Sequence, residues 1–352
     1  MEEILTQEIS ADVQIKPLCP LFGECGGCAY QHVTYEYELE LKHQQLSALF
    51  QRELGILSSA IDPVVPSLDP YHYRHRLDLT MRTTREGFMM GFQHAGRRKV
   101  ISVESCVIAR KEVSNFLPQL KEEAIKRWPE DYNNANLVVR TGDDGRVVWG
   151  GIGRRSLELP EADYLWTQVN GKKIFYSLDS FFQANLGILP EVMKRLGELA
   201  GFDRETLFLD LYAGVGLFGI CFSDQAGEVI MVEDSDTSVK LMEFNVKTQS
   251  MKPSSVLRGK VEEVLPGLLE ASGWTKRIAL VDPPRKGLHS AALTTLAKAK
   301  SLTKLFYLSC GPDALVRDLK IFLKEGWKIE RILPFDFFPR TAHLETLVML
   351  VP

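Results

Sequence analysis

Ser309-Cys310-Gly311-Pro312 closes the apolar run Leu305-Phe306-Tyr307-Leu308. A strand that delivers a cysteine onto a Gly-Pro turn displays its thiol, and a displayed thiol whose pKa is lowered locally is a nucleophile. Cys221 is the contrast: inside Phe218-Gly219-Ile220-Cys221-Phe222 it sits in a helical pattern and reads as ordinary core. Two carboxylates accompany Cys310. Asp282 opens Asp282-Pro283-Pro284-Arg285 directly after the apolar run Ile278-Ala279-Leu280-Val281, so the acid lies at the carboxyl end of a strand, where α/β sheets bind ligands. The two prolines remove amide donors and stiffen that turn. Glu345 lies in His343-Leu344-Glu345-Thr346-Leu347-Val348, where strand alternation puts His343 and Glu345 on one face.

A thiol at a strand end serves hydrolases and redox enzymes as well, but a thiol with a carboxylate base suits pyrimidine chemistry. Carbon 5 of uracil is too weak a nucleophile to accept a methyl group directly. Addition of a thiolate at carbon 6 moves charge onto carbon 5, and after methylation a base must remove the carbon 5 proton before the thiol can leave. Cys310 is the candidate nucleophile and Glu345 the candidate base. Cytosine-5 methylation is the rival within this chemistry; the glutamate and the single nearby cysteine favour uracil.

These residues need a sheet to position them and a cofactor to react with. Leu207-Phe208-Leu209-Asp210-Leu211 runs into Tyr212-Ala213-Gly214-Val215-Gly216-Leu217-Phe218-Gly219, a buried strand entering a glycine-rich turn that opens a helix. Glu233 ends the next strand, 23 residues after Asp210, placed to accept both ribose hydroxyls of an adenosine. Gly214-x-Gly216-x-x-Gly219 also satisfies a dinucleotide fingerprint, so an NAD-dependent enzyme is the competing class. Asp210 before the turn suits the cationic methionine end of S-adenosylmethionine better than a pyrophosphate.

From about residue 180 strand and helix patterns alternate, with strands expected at 206–212, 228–233, 254–258, 277–281, 304–309, 327–334 and 344–351. The last two follow each other without a helix, which predicts an antiparallel strand in an otherwise parallel sheet. Residues 1–55 hold a cysteine cluster and a helix from about Tyr35 to Leu54, residues 56–176 form a β-rich middle domain with one helix near 110–127, and 177–352 form the cofactor-binding domain.

Composition sets the bounds. The chain has 352 residues, 45% of them hydrophobic, and no apolar run long enough to span a membrane; its acidic start has no signal-peptide character, and cytoplasmic location is the expectation. The net charge of −4 conceals a basic window at 71–100, where Arg74, Arg76, Arg82, Arg85, Arg97, Arg98 and Lys99 face only Asp78 and Glu86, with Tyr71, Tyr73, Phe88 and Phe92 interleaved. That window is either an RNA-gripping surface or a solvated sheet face. Cys19-x5-Cys25-x2-Cys28, with glycines between, offers three thiolates, and Cys106 is the remaining cysteine outside the last domain. Four cysteines hold zinc or a four-iron cluster, and spacing alone leaves both open.

Taken together, Ser180-Phe181-Phe182-Gln183-Ala184-Asn185, Asp210 to Gly216, Asp282 to Gly287, Ser309 to Pro312 with Asp318 after it, and Phe338-Pro339-Arg340-Thr341-Ala342-His343-Leu344-Glu345 resemble the RNA 5-methyluridine methyltransferases, the 23S ribosomal RNA and transfer RNA uracil-5-methyltransferases. The resemblance covers nearly the whole chain. It implies a C-terminal α/β, Rossmann-like class I S-adenosylmethionine-dependent methyltransferase domain, with Cys310 as nucleophile and Glu345 as proton acceptor. It also implies that Gln183, Tyr212, Glu233 and Asp282 contact cofactor or target base, alongside Asp210, Gly214 and Gly216 of the loop. In the family the four-cysteine spacing ligates a [4Fe-4S] cluster, which would be carried here by Cys19, Cys25, Cys28 and Cys106. Gly311 and Ala213 depart from the family's usual Asn and Cys. Only 18 residues precede Cys19, too few for the extra N-terminal RNA-binding barrel (TRAM domain) of longer relatives, so a monomeric enzyme acting on 23S ribosomal RNA is expected, with transfer RNA the alternative.

Overall fold

The computed structural model describes residues 9–97, 99–153, 156–251, 254–270 and 273–352. The chain begins with a cysteine-bearing segment and helix α1 (Tyr35–Leu54). Thr34 starts this helix by accepting the Tyr37 N–H, Glu36 and Glu38 occupy its first turn, and left-handed Gly55 ends it. Strands β1 (Arg76–Thr84), β2 (Gly87–Gln93) and β3 (Val100–Ser102), helix α2 (Lys111–Lys126), and strands β4 (Asn134–Thr141) and β5 (Val147–Gly150) make the middle domain. Its sheet is antiparallel throughout, in the order β3-β2-β1-β4-β5. Leu77, Leu79, Met81 and Met90 pack there against Val113, Leu117 and Leu120 of α2.

A hairpin of β6 (Leu165–Val169) and β7 (Lys172–Tyr176) leads to α3 (Leu189–Ala200). Then come β8 (Thr206–Leu211), α4 (Leu217–Phe222), β9 (Glu228–Glu233), α5 (Asp236–Gln249), β10 (Ser254–Arg258), α6 (Val261–Glu270), β11 (Lys276–Val281), α7 (Ser290–Ala297), β12 (Lys304–Ser309), α8 (Pro312–Lys324), β13 (Lys328–Phe335) and β14 (Glu345–Val351). All seven strands expected from the sequence are present. They form one sheet in the order β10-β9-β8-β11-β12-β14-β13, parallel from β10 to β12, with β14 antiparallel to both its neighbours. The central strands carry unbroken apolar runs because both faces are covered: Phe208, Ile278, Leu280, Phe306 and Leu308 point to one apolar cluster, Leu207, Leu209, Ala279, Val281 and Leu305 to the other. Strand order reverses between β8 and β11, which opens a crevice at their carboxyl ends.

The packing does not divide where the sequence pattern does. Leu165, Val169, Ile174 and Tyr176 of the hairpin belong to the core of the large sheet, so a boundary at 176 would cut through that core. Helix α1 likewise inserts Leu46 and Phe50 into the other apolar cluster and packs on α8. An alternating polar-apolar hairpin looks the same in sequence whichever core it joins.

In the basic window Arg82, Arg85, Arg97 and Lys99 are exposed, while Arg98 lies outside the described residues. Arg76 is engaged with Asp78 and the Leu178 carbonyl. Of the window's aromatics, Tyr73 is buried and donates to the Pro339 carbonyl, and Phe88 packs edge-on against Trp128. No helix among the described residues is long and apolar enough to cross a membrane.

Because Phe50 is wholly buried between α1 and the sheet, Phe50→Ala is expected to cost about 3–5 kcal/mol. Denaturant unfolding followed by circular dichroism measures this; a loss below about 1 kcal/mol would mean that α1 is not part of the sheet's core.

Candidate active site

Cys310 follows β12 directly and is half-buried. The turn after it is held by the Gly311 N–H donating to Ser309 Oγ at 3.1 Å, and α8 begins at Pro312. A Cβ on Gly311 would lie 2.7 Å from the Arg285 carbonyl oxygen. Glycine at this position lets the Arg285 carbonyl approach this closely, and the Arg285 guanidinium lies near enough to the sulfur to favour its thiolate. Arg285 was not singled out from the sequence beyond its place in the Asp-Pro-Pro-Arg turn; only the contact across Gly311 reveals it.

Glu345 is the first residue of β14, and its position follows from register. Ser309 pairs with Thr346 in an antiparallel ladder, so Cys310 and Glu345 come level at the same sheet edge. Phe335 pairs with Glu345 on the other side. His343 does not share the strand face expected for it: pairing starts at Glu345, and His343 is exposed in the preceding loop. Glu345 is 6% exposed, and its Oε2 has no hydrogen-bond partner.

Asp282 receives the Gln183 Nε2 at 2.9 Å. Asp210, fully buried, accepts the Gly219 N–H at 2.7 Å through Oδ2, while Oδ1 is without a partner. The carboxyls of Asp210, Asp282 and Glu345 are therefore gathered at the strand ends with little compensation. Desolvation raises Asp210 and Asp282 to about 7 and Glu345 well above the ordinary carboxylate range. Burial, then Glu345 and Asp282, push the Cys310 thiol up to about 11 against the opposing pull of Arg285.

The glycine-rich turn leaves β8 through Tyr212, whose φ of 62° is left-handed for a residue with a side chain, and passes Gly214 and Gly216. Glu233 pins it: one carboxylate oxygen accepts the Gly214 N–H at 2.9 Å, the other the amides of Asp234 and Ser235. Tyr212 separates two hollows. One is a groove of about 640 Å³ lined by Glu233, Gly259, Val261, Leu288 and Leu293 among others. The other is a small pocket among Phe181, Gln183, Gly214 and Asp282. Phe181 is 66% exposed there. The segment carrying Phe181 and Gln183 is held from the middle domain: buried Arg140 donates to the carbonyls of Ser177 and Ser180 and to His75, and His75 in turn bonds the Ala184 carbonyl. Asp318, which ends the Cys310 motif, is buried and joins Tyr307 to the Leu288 N–H.

Cys19, Cys25, Cys28 and Cys106 line one cavity of about 340 Å³, with Arg74 and Gln31. Burial raises Cys25 and Cys106 and pushes Cys28 up to about 12, with the neighbouring thiols adding to the effect on Cys28. Among the described residues, no three or more histidine, cysteine or acidic side chains are arranged to hold a single metal ion. Cys221 is core, as its pattern implies.

Residues 155–352 match the family model described as tRNA (uracil-5-)-methyltransferase. The chain belongs to this family. It is 30% identical over 384 residues to an uncharacterized RNA methyltransferase of Thermotoga maritima, covering 96% of this chain and 85% of that one. An uncharacterized RNA methyltransferase of Bacillus cereus is 26% identical over 94% of this chain and 82% of its own. In fold the chain is similar to the Pyrococcus abyssi tRNA (uracil-54, C5)-methyltransferase, whose structure was determined in complex with S-adenosyl-L-homocysteine: TM-score 0.72, 23% identity, 94% of this chain and 86% of that one. Family membership makes this an S-adenosylmethionine-dependent RNA uracil-5-methyltransferase, and the C-terminal domain has the class I methyltransferase architecture.

The residues present fit that cofactor. Asp210, Asp282 and Glu345 outnumber the cation among them, Arg285, and Asp210 and Glu345 each keep an unpartnered oxygen, so the ammonium and sulfonium of S-adenosylmethionine would supply charge that these carboxyls lack. In the free enzyme Asp210 and Asp282 hold protons that the unfolded chain releases near pH 4, so their contribution to stability is lost as pH rises from about 4 through about 7. A bound cation lowers both pKa values. Binding of S-adenosylmethionine is therefore expected to release protons at pH 7 and to tighten between pH 6 and 8. Titration calorimetry in buffers of different ionisation enthalpy checks this; identical heats would show that these carboxyls do not face the cofactor.

Proposed function

We propose that the chain methylates carbon 5 of a uridine in RNA through a covalent cysteine-uracil adduct. The observation that carries the reading is the register that brings Glu345 level with Cys310, because the reaction needs a nucleophile on carbon 6 and a base near carbon 5. The Cys310 thiolate forms the sulfur–carbon 6 bond, and the carbon 5–carbon 6 π pair moves into an enolate. S-adenosylmethionine, when bound, would supply the methyl group that bonds to carbon 5, the electron pair of its broken sulfur–methyl bond staying on the departing S-adenosylhomocysteine. Glu345 takes the proton from carbon 5, the double bond re-forms, and the bond to Cys310 breaks with its electron pair returning to sulfur. Arg285 stabilises the thiolate before attack and after release.

In this reading Glu233 holds the ribose, Asp210 and Tyr212 the methionine end, Gly214 and Gly216 admit the cofactor backbone-close, and Gln183 and Asp282 bind the polar edge of the uracil. Phe181, exposed beside them, offers a face for the flipped base. The exposed Arg82, Arg85, Arg97 and Lys99 grip RNA phosphates. Residues 1–55, 56–176 and 177–352 remain the functional division, although α1 and the β6–β7 hairpin pack with the last part. RNA as substrate goes with a cytoplasmic, monomeric enzyme.

Cys19, Cys25, Cys28 and Cys106 would hold a [4Fe-4S] cluster. Their thiols ring a cavity, whereas a zinc ion with bonds of about 2.3 Å would need the sulfurs collapsed about it. When bound, the cluster would supply positive charge that lowers the raised thiol pKa values and ties the N-terminal segment to the middle domain. The four cysteines make 23S ribosomal RNA the first substrate to test. The likeness in fold to a transfer RNA enzyme over 94% of this chain favours transfer RNA as the second.

Cys310→Ala is expected to bind RNA and transfer no methyl group. Glu345→Gln is expected to trap methylated RNA on the protein, visible as a band of retarded mobility on a denaturing gel; normal turnover by either variant would end this mechanism. For the substrate, nucleoside mass spectrometry of separated RNAs from a deletion strain should show loss of 5-methyluridine from ribosomal RNA, and loss from transfer RNA alone would reverse the choice.

A further inference from the structure

The β13–β14 connection, residues 336–344, leads straight into Glu345, and its polar anchors come from the far end of the chain. Lys42 of α1 is 2% exposed, and its ammonium donates to Asp336 Oδ1 at 2.7 Å, to Glu38 Oε1 at 2.7 Å and to the Phe338 carbonyl at 3.2 Å. Tyr35 donates to the other Asp336 oxygen at 2.8 Å. The Arg340 N–H donates to Glu38 Oε1 at 2.7 Å, and its guanidinium lies 3.4 Å from Glu38 Oε2 and donates to the Val33 carbonyl at 2.9 Å. The Arg340 carbonyl accepts the amides of Ala29 and Tyr30, and Ala29 directly follows Cys28. Arg340 itself sits at a φ of 67°, a left-handed conformation that a non-glycine residue holds only when its surroundings impose it.

Two acids and two bases thus form a buried cluster with no net charge. Such a cluster adds little stability over apolar residues of the same volume. What it does confer is a single arrangement, because the Lys42 ammonium, the Tyr35 hydroxyl and the Arg340 N–H each have a directed acceptor. Together with Tyr73, which donates to the Pro339 carbonyl, and the Ala29 and Tyr30 amides on the Arg340 carbonyl, it fixes the course of the loop that delivers Glu345 to its strand.

We infer that Lys42 is a positioning residue for Glu345, acting through Asp336 and the loop that follows it. The inference rests on the reading of Glu345 as the base that frees Cys310. If Lys42 aims that base, its loss slows removal of the carbon 5 proton and leaves formation of the adduct and binding of cofactor alone.

Removing Lys42 alone would strand a buried acid, so the test replaces Lys42→Met together with Asp336→Asn, which keeps the cluster neutral around Glu38 and Arg340. Tyr35→Phe, which removes one hydrogen bond to Asp336 and changes no charge, is the second variant. Single-turnover assays on the full chain with unmethylated RNA that the parent enzyme methylates follow adduct formation and adduct release separately, with thermal melts reporting folding. The expected result is adduct formation within about threefold of the parent and release slowed about tenfold in the double variant and about threefold in Tyr35→Phe, with the KM for S-adenosylmethionine unchanged. Parental release in the variants that fold overturns the inference, as does equal slowing of both steps, which marks general damage. Glu345→Gln run alongside separates the two claims: if it accumulates no adduct the proposed base is wrong, and if it does while the Lys42 variants do not, only the positioning role fails.

Discussion

The pairing of Ser309 with Thr346 sets β14 antiparallel between β12 and β13, and the arrangement of the catalytic groups follows from it. A parallel last strand would start at the opposite edge of the sheet and carry Glu345 the length of β12 away from Cys310. Because the strand is antiparallel, its first residue meets the end of β12, and the Cys310 thiol and the Glu345 carboxyl, from segments 35 residues apart, share one edge. Gly311 completes the approach from the third side by letting the Arg285 carbonyl come where a Cβ would otherwise stand.

Electrostatics then explains why the site is incomplete without its substrates. Asp210, Asp282 and Glu345 are desolvated, and the pKa of each is raised by burial before any neighbour acts. Arg285 is the cation that opposes this, and it acts on Cys310 and Glu345. A site of this kind favours a cationic methyl donor over a neutral or anionic cofactor.

The N-terminal segment is part of the same machine. Helix α1 buries Leu46 and Phe50 against the large sheet and sends Lys42 to the loop before Glu345, while the residues after Cys28 grip Arg340. The middle domain does the equivalent on the other side through Arg140 and His75, which hold the segment bearing Phe181 and Gln183. Both accessory parts therefore reach the segments that lead to Gln183 and to Glu345.

By itself the sequence determined the strand and helix order of the last domain, the glycine-rich turn, the Asp282 turn and the displayed cysteine, because these are local: apolar runs, breakers and a thiol at a strand end can be read within ten residues. It also marked Cys19, Cys25 and Cys28 by type and spacing, and Cys106 as the remaining cysteine outside the last domain. The tertiary structure alone decided that Arg285 lies beside Cys310, that His343 lies outside the strand while Glu345 starts it, that the window aromatics Tyr73 and Phe88 pack inward, and that the β6–β7 hairpin and α1 belong to the core of the large sheet. Each of these depends on strand register or on contacts between segments up to 300 residues apart, such as Lys42 with Asp336, and periodicity along the chain carries no record of which distant surface an amphipathic segment will meet.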